Sequence, residues 1–125
     1  RKRKILKNEH YVAFCPFASR AAFEVWIVGK RPSPYFEHIT DEEKFTLAQA
    51  LKQSLYSIHK GLNDPAYNFY IHTAPCDGRD YEHYQWHIEI IPHTSTWAGF
   101  ELSTGIEVST IQPEEAAKYL REQLQ

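Results

Sequence analysis

Two histidines and a glutamate, His72, His87 and Glu89, carry the first chemical suggestion in this chain. Imidazole nitrogens and carboxylate oxygens are ordinary ligands for zinc, iron or manganese. A histidine beside a phosphate can also act as a nucleophile. The neighbouring residues indicate how the three would be held. Strand side chains point alternately to opposite faces. In Tyr84-Gln-Trp-His-Ile-Glu-Ile-Ile-Pro92 that rule puts Gln85, His87 and Glu89 on one side, and Trp86, Ile88 and Ile90 on the other. Tyr67-Asn-Phe-Tyr-Ile-His-Thr73 repeats the design, with Asn68, Tyr70 and His72 opposed to Phe69, Ile71 and Thr73. If these segments pair, the two imidazoles and the carboxylate converge on one surface, which suggests a metal site or phosphate chemistry.

Other polar candidates read more plainly. His83 sits at a loop end and reads as a surface residue. Asp77-Gly78-Arg79-Asp80 could turn Arg79 toward a phosphate, but a solvated turn explains it as well. His10, His38, His59 and His93 find no partner by spacing. Trp26, Trp86 and Trp97 read as core or interface anchors. The chain has no G-x-x-x-x-G-K-[ST] or G-x-G-x-x-G phosphate loop and no G-x-S-x-G elbow.

The elements that must position these residues follow from hydrophobic period and turn chemistry. Tyr11–Cys15, ended by Pro16, and Glu24–Val28, ended by Gly29, read as buried strands. Thr40-Asp-Glu-Glu43 is a capping box. Beyond it Phe45, Ala48, Leu51, Leu55, Ile58 and Leu62 recur at helical spacing, predicting a long amphipathic helix from about Asp41 to His59, closed near Gly61. The two histidine strands come next, joined by a turn-rich connector, 74–83. Segments 96–102 and 104–108 read as two further short strands. Pro113 suits the first turn of a helix whose apolar stripe is Ala116, Ala117, Leu120 and Leu124. The order implies a single α+β domain over residues 1–125, with a long helix and a C-terminal helix on a mostly antiparallel sheet.

Composition sets the outer limits. The 125 residues suffice for one modest core, and 42% hydrophobic with 24% charged residues argues against disorder. A net charge of −2 offers no basic footprint for nucleic acid. The one basic run, Arg1-Lys-Arg-Lys4, reads as a solvated tail. No apolar stretch nears the ~20 residues of a membrane span. Cys15 and Cys76 lack zinc-type spacing and read as reduced thiols of a cytoplasmic protein.

Several motifs, taken in order, resemble a known family. They are Cys15-Pro-Phe-Ala-Ser-Arg20, Phe23-Glu-Val-Trp-Ile27, His72-Thr-Ala-Pro75 with Asp77-Gly78-Arg79, Trp86-His-Ile-Glu-Ile90, Ala98-Gly-Phe-Glu-Leu102 and Pro113-Glu-Glu-Ala-Ala117. Together they are similar to the C-terminal half of galactose-1-phosphate uridylyltransferase, a histidine-triad (HIT) superfamily enzyme, from about Asn8 to Leu124. The resemblance implies a HIT-like fold and a double displacement in which a histidine takes UMP from UDP-glucose and passes it to galactose 1-phosphate. The family's nucleophile lies in an H-P-H-G-Q motif of its N-terminal half. That motif is absent here, as is any methionine, so the chain is expected to be the second half of a longer enzyme, inactive alone.

Residue by residue, the resemblance makes His72 and His87 ligands of a structural iron or zinc. Gln85 falls where the family has another histidine, which would weaken the site. A further carboxylate ligand would come from the N-terminal half. Phe100 and Glu101 match an aromatic–acidic pair that contacts the hexose across a homodimer. The implied partners are therefore a UDP-hexose, a hexose 1-phosphate, the N-terminal half and a second copy. Two other readings stay open: a small stand-alone HIT hydrolase with His87 as nucleophile and His83 or Glu89 assisting, and a non-catalytic module that binds a nucleotide or sugar phosphate.

Overall fold

A computed structural model of the chain describes residues 2–93 and 111–125. Five strands form one sheet: β1 (Lys4–Lys7), β2 (Tyr11–Phe14), β3 (Val25–Gly29), β4 (Tyr67–His72) and β5 (His87–Pro92). Their spatial order is β1-β2-β3-β5-β4, and every pair is antiparallel. Helix α1 (Asp41–Gly61) connects β3 to β4, and helix α2 (Pro113–Glu122) follows the sheet. This is the expected α+β layout. The expected strands at 96–102 and 104–108 lie outside the described residues, as do Trp97, Phe100 and Glu101.

One face of the sheet is the core. Tyr11, Ala13, Val25, Ile27, Ile88 and Ile90 are buried there against Leu47, Ala50 and Ile58 of α1 and Ala116, Ala117 and Leu120 of α2. Trp86, just before β5, closes the cluster edge-on to both Tyr11 and Phe36, with ring centroids 6.0 and 5.0 Å away. The capping box is formed: Glu43 N–H donates to Thr40 Oγ1 (3.1 Å), and Thr40 N–H donates to the Glu43 carboxylate (2.8 Å). Pro113 opens α2 as its sequence suggests.

Three features differ from the sequence expectation. Lys4 is not in a free tail but begins β1, where Ile5 is buried and the strand pairs with β2; Arg3 also reaches Glu114 on α2 (3.2 Å). Two apolar residues among lysines suffice for an edge strand when one side has a core to meet. The buried face of α1 is Leu47, Ala50, Ser54, Ser57 and Ile58, not a stripe through Phe45, which is 67% exposed. Small residues let the helix axis approach the sheet closely, while Leu51, Leu55 and Leu62 pack along its flank. Finally, Phe69 and Ile71 do not seal the core. The strand that carries them is at the edge of the sheet, next to β5 alone among the described strands, and both stay exposed.

Candidate functional site

The sheet face opposite the helices gathers the chemistry. Directly paired residues of antiparallel strands point to the same side. The register sets His72 against His87 and Tyr70 against Glu89 between β4 and β5. Between β3 and β5 it sets Val28 against His87 and Trp26 against Glu89. His72, His87, Glu89, Tyr70 and Trp26 therefore share one face. The rings of His72 and His87 lie parallel within 10°, their centroids 4.9 Å apart. The Trp26 indole stacks on the other side of His87 at 4.2 Å.

Both imidazoles aim at one oxygen. His87 Nε2 is 2.9 Å from Glu89 Oε2, and His72 Nε2 is 3.3 Å from the same atom. Glu89 is 5% exposed, so its charge is nearly withdrawn from water and must be compensated by partners. Two arrangements satisfy this geometry. Each Nε2 can carry its hydrogen and donate to the carboxylate. Alternatively, each Nε2 can offer a lone pair to a cation seated among the three groups. Their ligand atoms all lie within 4.8 Å of one another. Two imidazoles and a carboxylate suit zinc or iron, so the donor set fits the metal that the resemblance implies.

A second ring of residues surrounds the cluster, and the sequence reading gave it no role. Arg20 donates its guanidinium to Glu89 Oε1 and lies 3.5 Å from Glu24 Oε2. Glu24, only 1% exposed, also accepts the Arg20 backbone N–H (2.8 Å) and the Trp26 indole N–H (2.7 Å). The backbone reaches this arrangement through Phe23, whose φ of 62° is uncommon for a bulky residue. Burial of its ring against Tyr119, 5.9 Å away, offsets the cost of that conformation. The available signal was the Arg20-x-x-x-Glu24 spacing just before a strand. Trp26 also departs from a core reading, since it lies on the site face.

The remaining candidates are elsewhere. Gln85 directs its amide at the carbonyl oxygens of Gly29 (3.4 Å) and Arg31 (3.5 Å), so the third group beside the imidazoles is the Glu89 carboxylate. His83 is 96% exposed, and Arg79 sits in an exposed turn near Asp77. Cys15 and Cys76 are free thiols, the first buried and the second exposed. Burial, helped by Glu24, pushes the Cys15 thiol up to about 12. Among the described residues one other group of three, Glu9, His10 and Glu42, comes together, at the surface, with His10 Nδ1 tied to Thr46 Oγ1 (2.9 Å).

No protein-family model matches the chain. Individual proteins do. An ADP-glucose phosphorylase of Arabidopsis thaliana is 39% identical over 120 residues, covering 93% of this chain and 34% of the relative. A galactose-1-phosphate uridylyltransferase of Thermotoga maritima is 31% identical over 129 residues, covering 97% of this chain and 41% of the relative. Among solved structures, the Arabidopsis ADP-glucose phosphorylase with bound ADP-glucose superimposes with a TM-score of 0.82 at 38% identity, over 96% of this chain and 40% of that one. A uridylyltransferase structure gives the same TM-score of 0.82 at 30% identity, over 99% and 41%.

By sequence and fold, the chain resembles the C-terminal half of galactose-1-phosphate uridylyltransferase. It spans roughly a third to two fifths of these relatives (34% and 41%). The five-stranded antiparallel sheet with its helices is the HIT-like fold. A HIT family protein from Mycobacterium smegmatis shares it with a TM-score of 0.67 at 14% identity, over 97% of this chain and 82% of that one.

Proposed function

We propose that this HIT-like domain is the C-terminal half of an enzyme that transfers a nucleotidyl group from a nucleoside-diphosphate hexose, in the first instance a hexose-1-phosphate uridylyltransferase. Its likeness to two such enzymes over 93% and 97% of its length carries the reading. In the proposed reaction, a histidine of the other half attacks the α-phosphorus of UDP-glucose. A P–N bond forms, the P–O bond to glucose 1-phosphate breaks, and galactose 1-phosphate then takes the uridylyl group by the reverse exchange. This half would supply Phe100 and Glu101 to the hexose, dimer contacts, and a structural zinc or iron site at His72, His87 and Glu89. The metal would tie β4 to β5 and hold that face rigid. The cytoplasm is the proposed compartment; no helix among the described residues is long and apolar enough to cross a membrane.

The surroundings of His87 favour a ligand over a nucleophile. Its ring is covered by Trp26 on one side and His72 on the other, and Nε2 already meets Glu89. A cation held among the three groups would take up the Nε2 lone pair that in-line attack on phosphorus needs, so a metal site here leaves no place for the stand-alone hydrolase. A second nucleotide does have support. The higher identity to the ADP-glucose phosphorylase, 39% against 31%, favours an adenylyl donor with phosphate as acceptor.

The test is to purify the chain, measure bound metal, and titrate it with UDP-glucose and ADP-glucose. The expected result is zinc or iron that His72→Ala and His87→Ala each release, preference for one nucleotide sugar, and no covalent change. A mass gain of one nucleotidyl group on His87 would overturn the division of labour. Absence of both metal and nucleotide-sugar binding would sink the reading.

A further inference from the structure

Arg20 is the one cation in contact with the cluster among the described residues, and it serves two carboxylates. Glu24 and Glu89 are 1% and 5% exposed, whereas the Arg20 side chain is 62% exposed. The Glu89 carboxylate is divided: Oε1 takes the guanidinium and Oε2 takes the two imidazoles. We propose that Arg20 is a built-in counter-cation for Glu89 that stabilises the metal-free domain and lowers its affinity for a divalent ion. The proposal rests on His72, His87 and Glu89 being a metal site.

The opposite expectation is physically reasonable. A residue hydrogen-bonded to a ligand usually orients it and so tightens metal binding. Here the orientation does not depend on Arg20. Glu89 is fixed in the interior of β5, paired on both sides by β3 and β4, and flanked by both imidazoles. Arg20 precedes β3 in a loop. What it adds is a full positive charge, one carboxylate away from where a divalent ion would sit. Like charges that close repel, and poor solvation of the buried carboxylates keeps water from screening the effect fully. Glu24 gives the guanidinium a second resting place, so an arriving ion can displace it from Glu89 without leaving it unpaired.

The experiment compares the full chain with Arg20→Gln and Arg20→Lys at pH 7. Zinc affinity is read by competition with a chromophoric chelator, and thermal stability is read in EDTA. Gln keeps a hydrogen-bonding side chain but removes the charge. It should bind zinc roughly tenfold more tightly, a change of about 1.4 kcal/mol, and melt at a lower temperature in EDTA. Lys keeps the charge and should stay within about threefold of the parent, which separates charge from shape. Equal or weaker zinc binding by Arg20→Gln, with zinc bound by both proteins, overturns this proposal alone. Failure of every variant to bind zinc sinks the metal site, and the proposal with it. An unchanged melting temperature in EDTA also overturns it, because a counter-cation cannot be removed without cost.

Discussion

Replacement of Glu43 by Gln should weaken the fold at neutral pH, and by progressively less as the pH falls below about 4.5. Glu43 is 7% exposed in the first turn of α1. Its two oxygens accept a two-pronged contact from Arg31, Nε at 2.9 Å and Nη2 at 2.8 Å, and one also accepts the Thr40 N–H. The Arg31 hydrogen bonds, aided by Thr40 and opposed by burial, bring the carboxyl from 4.5 down to about 2. A group whose pKa is lower in the folded state stabilises that state fully above its unfolded value, and the stabilisation is lost as pH falls through the folded value. The change corresponds to at most about 3 kcal/mol. Arg31 is half-exposed, so screening by water reduces the expectation to roughly 1.5–2 kcal/mol. Urea unfolding of the parent and Glu43→Gln at pH 7, 5, 4 and 3 reads this directly. The gap between them should be full at pH 7 and 5, and should shrink below about pH 4.5. At pH 7 it should appear as roughly 6–8 °C in melting temperature. A gap under about 0.5 kcal/mol at pH 7, or one that is constant down to pH 3, would refute the argument.

Two further outcomes test the packing and the thiols. Ala50 is fully buried where α1 meets the sheet, so Ala50→Leu should overpack that contact and cost about 1–3 kcal/mol in urea unfolding. Cys15 is buried with its thiol held up near 12, while Cys76 is exposed, so a chromogenic disulfide at pH 8 should titrate one thiol in the native chain and two after denaturation. Glu37 raises the Cys76 thiol as well, so its reaction should be slower than that of a free cysteine.

The sequence was most legible where period and residue type agreed. The alternation in the two histidine segments gave the shared face of His72, His87 and Glu89, because register on a half-buried sheet follows the pleat. The Thr40–Glu43 cap and the Pro113 start were readable because each has a local physical cause. The packed face of α1 is not legible in the sequence, because large apolar side chains advertise a stripe, whereas close approach to a sheet selects small ones such as Ala50 and Ser54. The tail that is really β1 was hidden by its lysines. The Arg20-x-x-x-Glu24 spacing hints at that pair alone, whereas the link to Glu89 depends on a left-handed turn at Phe23 and on a partner 69 residues away. The family resemblance puts Gln85 at a ligand position. Its side chain turns to the end of β3 instead, because β5 begins only at His87.

The stacking of Trp26 on His87 has an optical consequence. An indole 4.2 Å from an imidazole is quenched differently according to whether that ring is neutral, charged or coordinated. Emission from Trp26, isolated by replacing the other tryptophans with phenylalanine, would follow events among these groups as they happen, without an added label. The domain thus carries its own lamp beside the His72, His87 and Glu89 cluster.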